Sequence, residues 1–208
     1  PPEYGPPIGT LVIVGGGSTV GTNIIGRFIE LGGGADEGKF VVVPTAKGNR
    51  NRDGEVIDYR EESVIRSWTA RGLKNVRMLH TADPEEANTE DFVTPLREAT
   101  AGATIQGEYL VRGDTSGPNV VMTEEPDHQH GFAFLKQSAI DQHINTRKRW
   151  DDLIPVIEQY PKLLGIGLSE GTAIVVTGDT FEVLGKWKVA IHDNTRLYQP
   201  WEKPYYVL

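Results

Sequence analysis

The sequence predicts an α/β fold in which a parallel sheet is covered by helices on both faces, followed by a C-terminal antiparallel meander. Three observations carry this. Short apolar, β-branched runs alternate with stretches of helical periodicity; the first run ends at a glycine turn that leads into a helix; and the last third of the chain changes to strands joined by tight turns. Thr10-Leu11-Val12-Ile13-Val14 is the first strand, Gly15-Gly16-Gly17-Ser18 the turn, and Ile24, Ile25, Phe28 and Ile29 the apolar stripe of the first helix. Phe40 to Val43 reads as a second buried strand ending at Pro44. Val56, Tyr59, Val64, Ile65 and Trp68 predict a helix within 55–71, and a short strand follows from Val76 to Leu79. Thr89-Glu90-Asp91-Phe92 has the form of an N-cap with acids in the first turn, so a helix is expected from there toward Glu98. Residues 111–135 are rich in Gly, Pro, Asp and Glu and read as a long loop of the kind that carries function. A helix is expected over Thr146 to Tyr160, with Pro155 early in it or kinking it. Thr172–Val176, Phe181–Leu184 and Trp187–Ile191, joined at Gly178-Asp179 and Gly185-Lys186, are the strands of the meander.

Composition narrows the function classes. With 208 residues, 24% charged and 38% hydrophobic, the chain suits a single domain with one core. Its 21 basic and 29 acidic residues give a net charge of −8, which argues against a nucleic-acid surface. The absence of cysteine excludes disulfides, thiolate metal sites and a cysteine nucleophile. No apolar run approaches the roughly 18 residues of a membrane span, so no membrane partner is expected. The Pro-rich start without methionine leans toward export.

Several motifs resolve into bland readings. The Gly15–Gly17 cluster sits between strand and helix as a phosphate loop does, but lacks the Gly-x-Gly-x-x-Gly order and an acid closing the second strand, so it reads as a structural turn. His128 and His130 among Glu124, Glu125 and Asp127 could approach a metal from an extended segment, yet read as a solvated acidic loop. Asp114-Thr115-Ser116-Gly117 is a turn sequence, and His192-Asp193 a polar strand end.

One constellation points to chemistry. Asp141-Gln142-His143-Ile144-Asn145-Thr146-Arg147-Lys148-Arg149 places a histidine before two arginines, and Gly165-Ile166-Gly167-Leu168-Ser169-Glu170-Gly171-Thr172-Ala173 delivers a lone carboxylate between two apolar segments. A histidine with a later acid is the base and orienter of a nucleophilic triad. Together these segments resemble the Asp-x-His-Phe-x-x-Arg-x-Arg and Gly-Ile-Gly-x-x-Glu-x-Thr-Ala motifs of the cyanophycinases, serine-type peptidases related to aspartyl dipeptidases. Gly9 to Gly17, Arg27 to Leu31, Val43 to Ala46 and Ala101 to Gly107 are similar to further parts of that family, so the resemblance covers most of the chain.

The resemblance implies a three-layer, flavodoxin-like and amidotransferase-like architecture, with His143 as general base, Glu170 as its orienter, and Thr100 in the nucleophile's place. It further implies that Arg147 and Arg149 hold a carboxylate of a peptide substrate, since a guanidinium forks onto two oxygens. The implied reaction is exopeptidase hydrolysis of cyanophycin, a poly-aspartate backbone bearing arginine, to β-Asp-Arg dipeptides, with no metal or organic cofactor. An aspartyl dipeptidase-like hydrolase is a neighbouring expectation, and a homodimer is one assembly state open to it.

The chain departs from the family at the nucleophile. Glu98-Ala99-Thr100-Ala101-Gly102 stands where the family has Gly-Thr-Ser-Ala-Gly, and the branched threonine crowds a strained elbow. The chain also passes directly from the expected 89–98 helix to the helix after the nucleophile, so a segment between about residues 98 and 100 is expected to be missing from its single domain. That segment carries the family's oxyanion-region strand end, and its loss supports a second expectation: a non-catalytic binding or scaffold relative.

Overall fold

The structure, a computed structural model, describes residues 1–44, 50–51, 53–92, 106–112, 121–122, 129–195 and 202–208. The chain is mixed α/β and forms two compact units, one of Pro1–Ile25 with Gly102–Leu208 and one of Gly26–Ala101. Among the described residues, no helix is long and apolar enough to cross a membrane.

In the smaller unit, helix α1 (Ile24–Leu31), from Gly26 onward, and α2 (Gly34–Glu37) precede strand β2 (Lys39–Val42), and α3 (Glu61–Thr69) leads to β3 (Asn75–Met78) and α4 (Pro84–Ala87). Strands β2 and β3 pair in parallel, Phe40 opposite Val76, as a helical crossover between them requires. The Phe28 ring sits 5.7 Å from both Phe40 and Trp68, so one aromatic cluster fastens α1, β2 and α3. Asp83 caps α4 by accepting from the Glu85 amide at 2.9 Å, with Pro84 in the first turn where its missing N–H costs nothing.

The larger unit holds two sheets. β1 (Leu11–Val14), β7 (Thr172–Thr177) and β8 (Thr180–Gly185) form one in the order β1-β7-β8, antiparallel throughout. β4 (Gly107–Tyr109), β5 (Leu135–Gln142), β6 (Leu164–Leu168), β9 (Val189–His192) and β10 (Tyr206–Val207) form the other in the order β10-β9-β6-β5-β4. Within it β4, β5 and β6 are parallel, while β9 and β10 run antiparallel to their neighbours. One apolar cluster draws on both sheets, joining Ile13, Ile140, Ile166, Leu168, Ile174 and Ile191. A second, of Tyr109, Val111, Ala139, Leu153 and Val156, lies under α5 (Ile154–Gln159).

Three expectations need correction. The first strand pairs antiparallel with β7, because an apolar β-branched run fixes neither partner nor direction. The C-terminal strands are no meander: β7 and β8 form a hairpin, but β9 crosses to the other sheet and pairs with β6 and β10. The helix expected over 146–160 shortens to Ile154–Gln159 with Pro155 in its first turn, since a proline ring clashes with a preceding helical turn. Beyond Phe92, the helix expected to reach Glu98 lies outside the described residues, as do Thr45 and Ala46.

His192 ends β9 with 1% of its surface exposed, its ring 4.6 Å from that of Tyr205. Burial pushes its pKa down to about 4. The folded form therefore stays neutral while the unfolded chain takes up a proton below about 6.5. Stability from this residue is present above that value and is lost as pH falls from about 6.5 to about 4, by about 3 kcal/mol at most. Denaturant melts across that interval should show the slope, and His192→Gln should flatten it. An unchanged slope in the variant would refute the assignment.

Candidate functional site

The site is built in the larger unit from the carboxyl ends of two neighbouring parallel strands, where open α/β sheets place their ligands. Strand β5 ends at Gln142 opposite Leu168 of β6, so the residues that follow emerge side by side. His143 comes immediately after β5 with φ 61°, a left-handed conformation that costs a branched or bulky side chain and is kept only where surroundings enforce it. Here the enforcement is visible: the His143 amide donates to the Gly15 carbonyl at 3.0 Å. Two residues after β6 lies Glu170, whose amide donates to Asn145 Oδ1 at 2.9 Å.

These constraints bring His143 Nδ1 to 2.7 Å from Glu170 Oε1. The two side chains are partly covered, 23% and 32% exposed, which leaves the pair reachable from solvent. Thr146 Oγ1 donates to the same Oε1 at 2.9 Å. The hydrogen bond from His143, then that from Thr146, holds the Glu170 carboxyl below its ordinary range, so it is ionised at neutral pH. An ionised carboxylate on Nδ1 favours the tautomer with its proton there and leaves Nε2 as the basic nitrogen. The arrangement can accept a proton at Nε2 and stabilise the resulting imidazolium.

The glycine turn after β1 belongs to this site, which its reading as a structural turn did not anticipate. Gly16 and Gly17 have φ 88° and 67°. A Cβ on Gly16 would stand 2.3 Å from His143 Cε1, and one on Gly17 would stand 2.6 Å from Glu170 Oε2. Gly16 also accepts from the Gly171 amide at 2.9 Å. Two side-chain-free residues thus form the wall against which ring and carboxylate pack. The glycine run itself was visible in sequence; its partner was not. Gly16→Ala is expected to cost about 1–2 kcal/mol from its backbone conformation alone and to break the 2.7 Å contact by displacing the ring. A crystal structure of the variant with that contact intact would refute this packing.

The two arginines separate. Arg147 is exposed beside the dyad, and its charge helps hold Glu170 ionised. Arg149 is 8% exposed and lies 3.9 Å from both Asp141 and Asp152. Asp141, fully buried, is gripped by Arg112 through Nε at 2.8 Å and Nη2 at 3.1 Å, and Arg112 also meets Asp152. Arg149 is therefore placed in an internal charge network, one that local sequence could not reveal because Arg112 lies 29 residues from Asp141. Thr100 lies outside the described residues, as do His128, Glu124, Glu125, Asp127 and the segment Asp114 to Gly117. His130 is described and bridges Tyr109. Among the described residues, no group of His, Asp or Glu could hold a metal ion.

No family model matches the chain. A curated cyanophycinase from Geminocystis herdmanii is 25% identical over 227 residues, covering 89% of this chain and 80% of that protein. The chain is a relative of the cyanophycinases. A crystal structure of a peptidase from an acI-B1 Actinobacterium shares the fold, with a TM-score of 0.62 and 19% identity over 97% of this chain and 94% of that one. The 227-residue aligned stretch exceeds this cyanophycinase relative's 208 residues, so the Geminocystis protein carries segments within it that have no counterpart here.

Proposed function

We propose that this cyanophycinase relative is a peptidase-like hydrolase that cleaves cyanophycin to β-Asp-Arg dipeptides through a Thr100–His143–Glu170 triad. The observation that carries the reading is the 2.7 Å contact between His143 and Glu170 at the ends of adjacent parallel strands. In the proposed reaction His143 Nε2 takes the proton of the Thr100 hydroxyl as its oxygen adds to the scissile carbonyl. The imidazolium, paired with Glu170, then returns that proton to the leaving amine, giving an acyl-enzyme. A water activated by the same nitrogen releases the acid. Arg147, exposed beside the dyad, is the residue of the arginine pair suited to a substrate carboxylate. No step requires a metal or organic cofactor. On this reading a segment between about residues 98 and 100, present in relatives, would complete the parallel strands of a three-layer architecture.

A second reading, a binding relative without turnover, is favoured by Thr100 in the serine's place and by the longer aligned stretch of the Geminocystis protein. Incubation with cyanophycin and with short Asp-Xaa peptides, followed by chromatography, separates the two. Release of β-Asp-Arg supports hydrolysis of cyanophycin, and cleavage of the short peptides alone indicates a dipeptidase. Saturable binding without product establishes the second reading, and neither binding nor product overturns both.

A further inference from the structure

Hydrogen-bonding capacity decides what Thr146 does beside the dyad. A threonine hydroxyl has one proton to give, and Thr146 Oγ1 has two acceptors within reach: Glu170 Oε1 at 2.9 Å and the His143 carbonyl at 3.3 Å. The shorter contact is to an ionised oxygen, and charge-assisted bonds are the stronger kind, so the proton is committed to Glu170. The oxygen it reaches is the one that faces His143 Nδ1. Oε1 is thus fixed from two directions, by ring and by hydroxyl, while the neighbouring Asn145 side chain fixes the Glu170 main chain through its amide. Asn145 and Thr146 sit in the turn that follows His143 itself, and the Arg147 amide donates back to the His143 carbonyl at 3.0 Å. The turn that carries the base therefore also grips the acid. Because Glu170 lies in a turn with a side chain 32% exposed, its carboxylate has several rotamers open to it unless something outside the ring selects one.

We propose that Thr146 is the positioning residue of the dyad: its hydroxyl selects the Glu170 rotamer that receives Nδ1–H and so sets the tautomer of His143. The proposal rests on the dyad being the hydrolytic base and orienter, but its structural content can be read without turnover. Thr146 is exposed, so the chain should tolerate replacing it.

The test combines imidazole nitrogen NMR on protein labelled with ¹⁵N-histidine, at a pH where the ring is neutral, with peptide kinetics on Thr146→Val and Thr146→Ser. The wild-type His143 ring should carry its proton on Nδ1. Thr146→Val, which keeps the shape and loses the donor, should show a mixture of tautomers, and Thr146→Ser should return to the wild-type signature. In kinetics, kcat should fall about tenfold in Thr146→Val with KM unchanged, the scale on which partners behind a functional histidine act, and serine should restore it. A Thr146→Val ring signature like the wild type, or one that serine does not restore, overturns the proposal. If the wild-type chain hydrolyses no peptide, the hydrolase reading fails while the ring signatures still decide the role of Thr146.

Discussion

His143→Ala is expected to reduce hydrolysis by about a thousandfold or more while leaving the fold intact, because a positioned base contributes factors of about 10²–10⁴ and triad members act as a unit. The side chain is 23% exposed and anchors no strand; the amide that ties its backbone to Gly15 survives the substitution. The variant should therefore melt near the wild-type temperature and still bind peptide. The check is the rate of dipeptide release by variant and wild type at matched concentration. An unchanged rate would mean that the dyad, however well formed, is not the base.

The second large effect is on stability. Asp141 is fully buried two residues before the dyad histidine, chelated by Arg112 and lying 3.9 Å from Arg149. Its removal takes away the carboxylate that sits between two guanidiniums, and breaking one partner out of a buried ion network costs about 3–5 kcal/mol. For a chain of this size each kcal/mol corresponds to about 2–4 °C in Tm. Asp141→Ala should thus lower Tm by about 10 °C, whereas Asp141→Leu combined with Arg112→Met should recover much of the loss by replacing the pair with apolar volume. Thermal melts of the two variants decide it, and an Asp141→Ala Tm within a degree or two of wild type would contradict the network's structural weight. The network also ties the end of β5 to the turns before α5, so the same variant should loosen the turn that presents His143.

What could be read from the chain follows the reach of each signal. The first strand and its glycine turn were legible because a β-branched run stopping at consecutive glycines has few other meanings, and α1 and β3 were legible from periodicity. β5, the strand that carries the site, was not. Leu-Lys-Gln-Ser-Ala-Ile-Asp-Gln contains one β-branched residue, and its buried Ser138 and Asp141 look like surface residues until their partners are known. The strand survives because Asp141 finds a partly buried arginine, a tertiary compensation with no local trace. Sheet partnership was equally hidden: nothing in Trp187 to Ile191 says that the strand leaves the hairpin beside it for β6.

At the site, the resemblance of two segments to cyanophycinase motifs marked His143 and Glu170, and the structure brings them to 2.7 Å. Motif spacing did not distinguish Arg147 from Arg149, because exposure depends on which way a turn faces; the structure leaves one in solvent and buries the other against carboxylates. Thr146, and the partner of Gly16, escaped notice for a related reason. Thr146 and Gly16 each act on a residue brought near by the sheet, and neither carries a charge or a ring that sequence reading would single out.

On the proposed mechanism a hydroxyl nucleophile is activated by the His143–Glu170 pair. Covalent labelling with a hydroxyl-directed fluorophosphonate, with the adduct mapped by mass spectrometry in wild type and His143→Ala, reads that activation at the nucleophile itself. One adduct per wild-type chain is expected, on Thr100, and none in the variant under the same conditions. No adduct on the wild-type chain, or labelling that proceeds equally without His143, would contradict that mechanism.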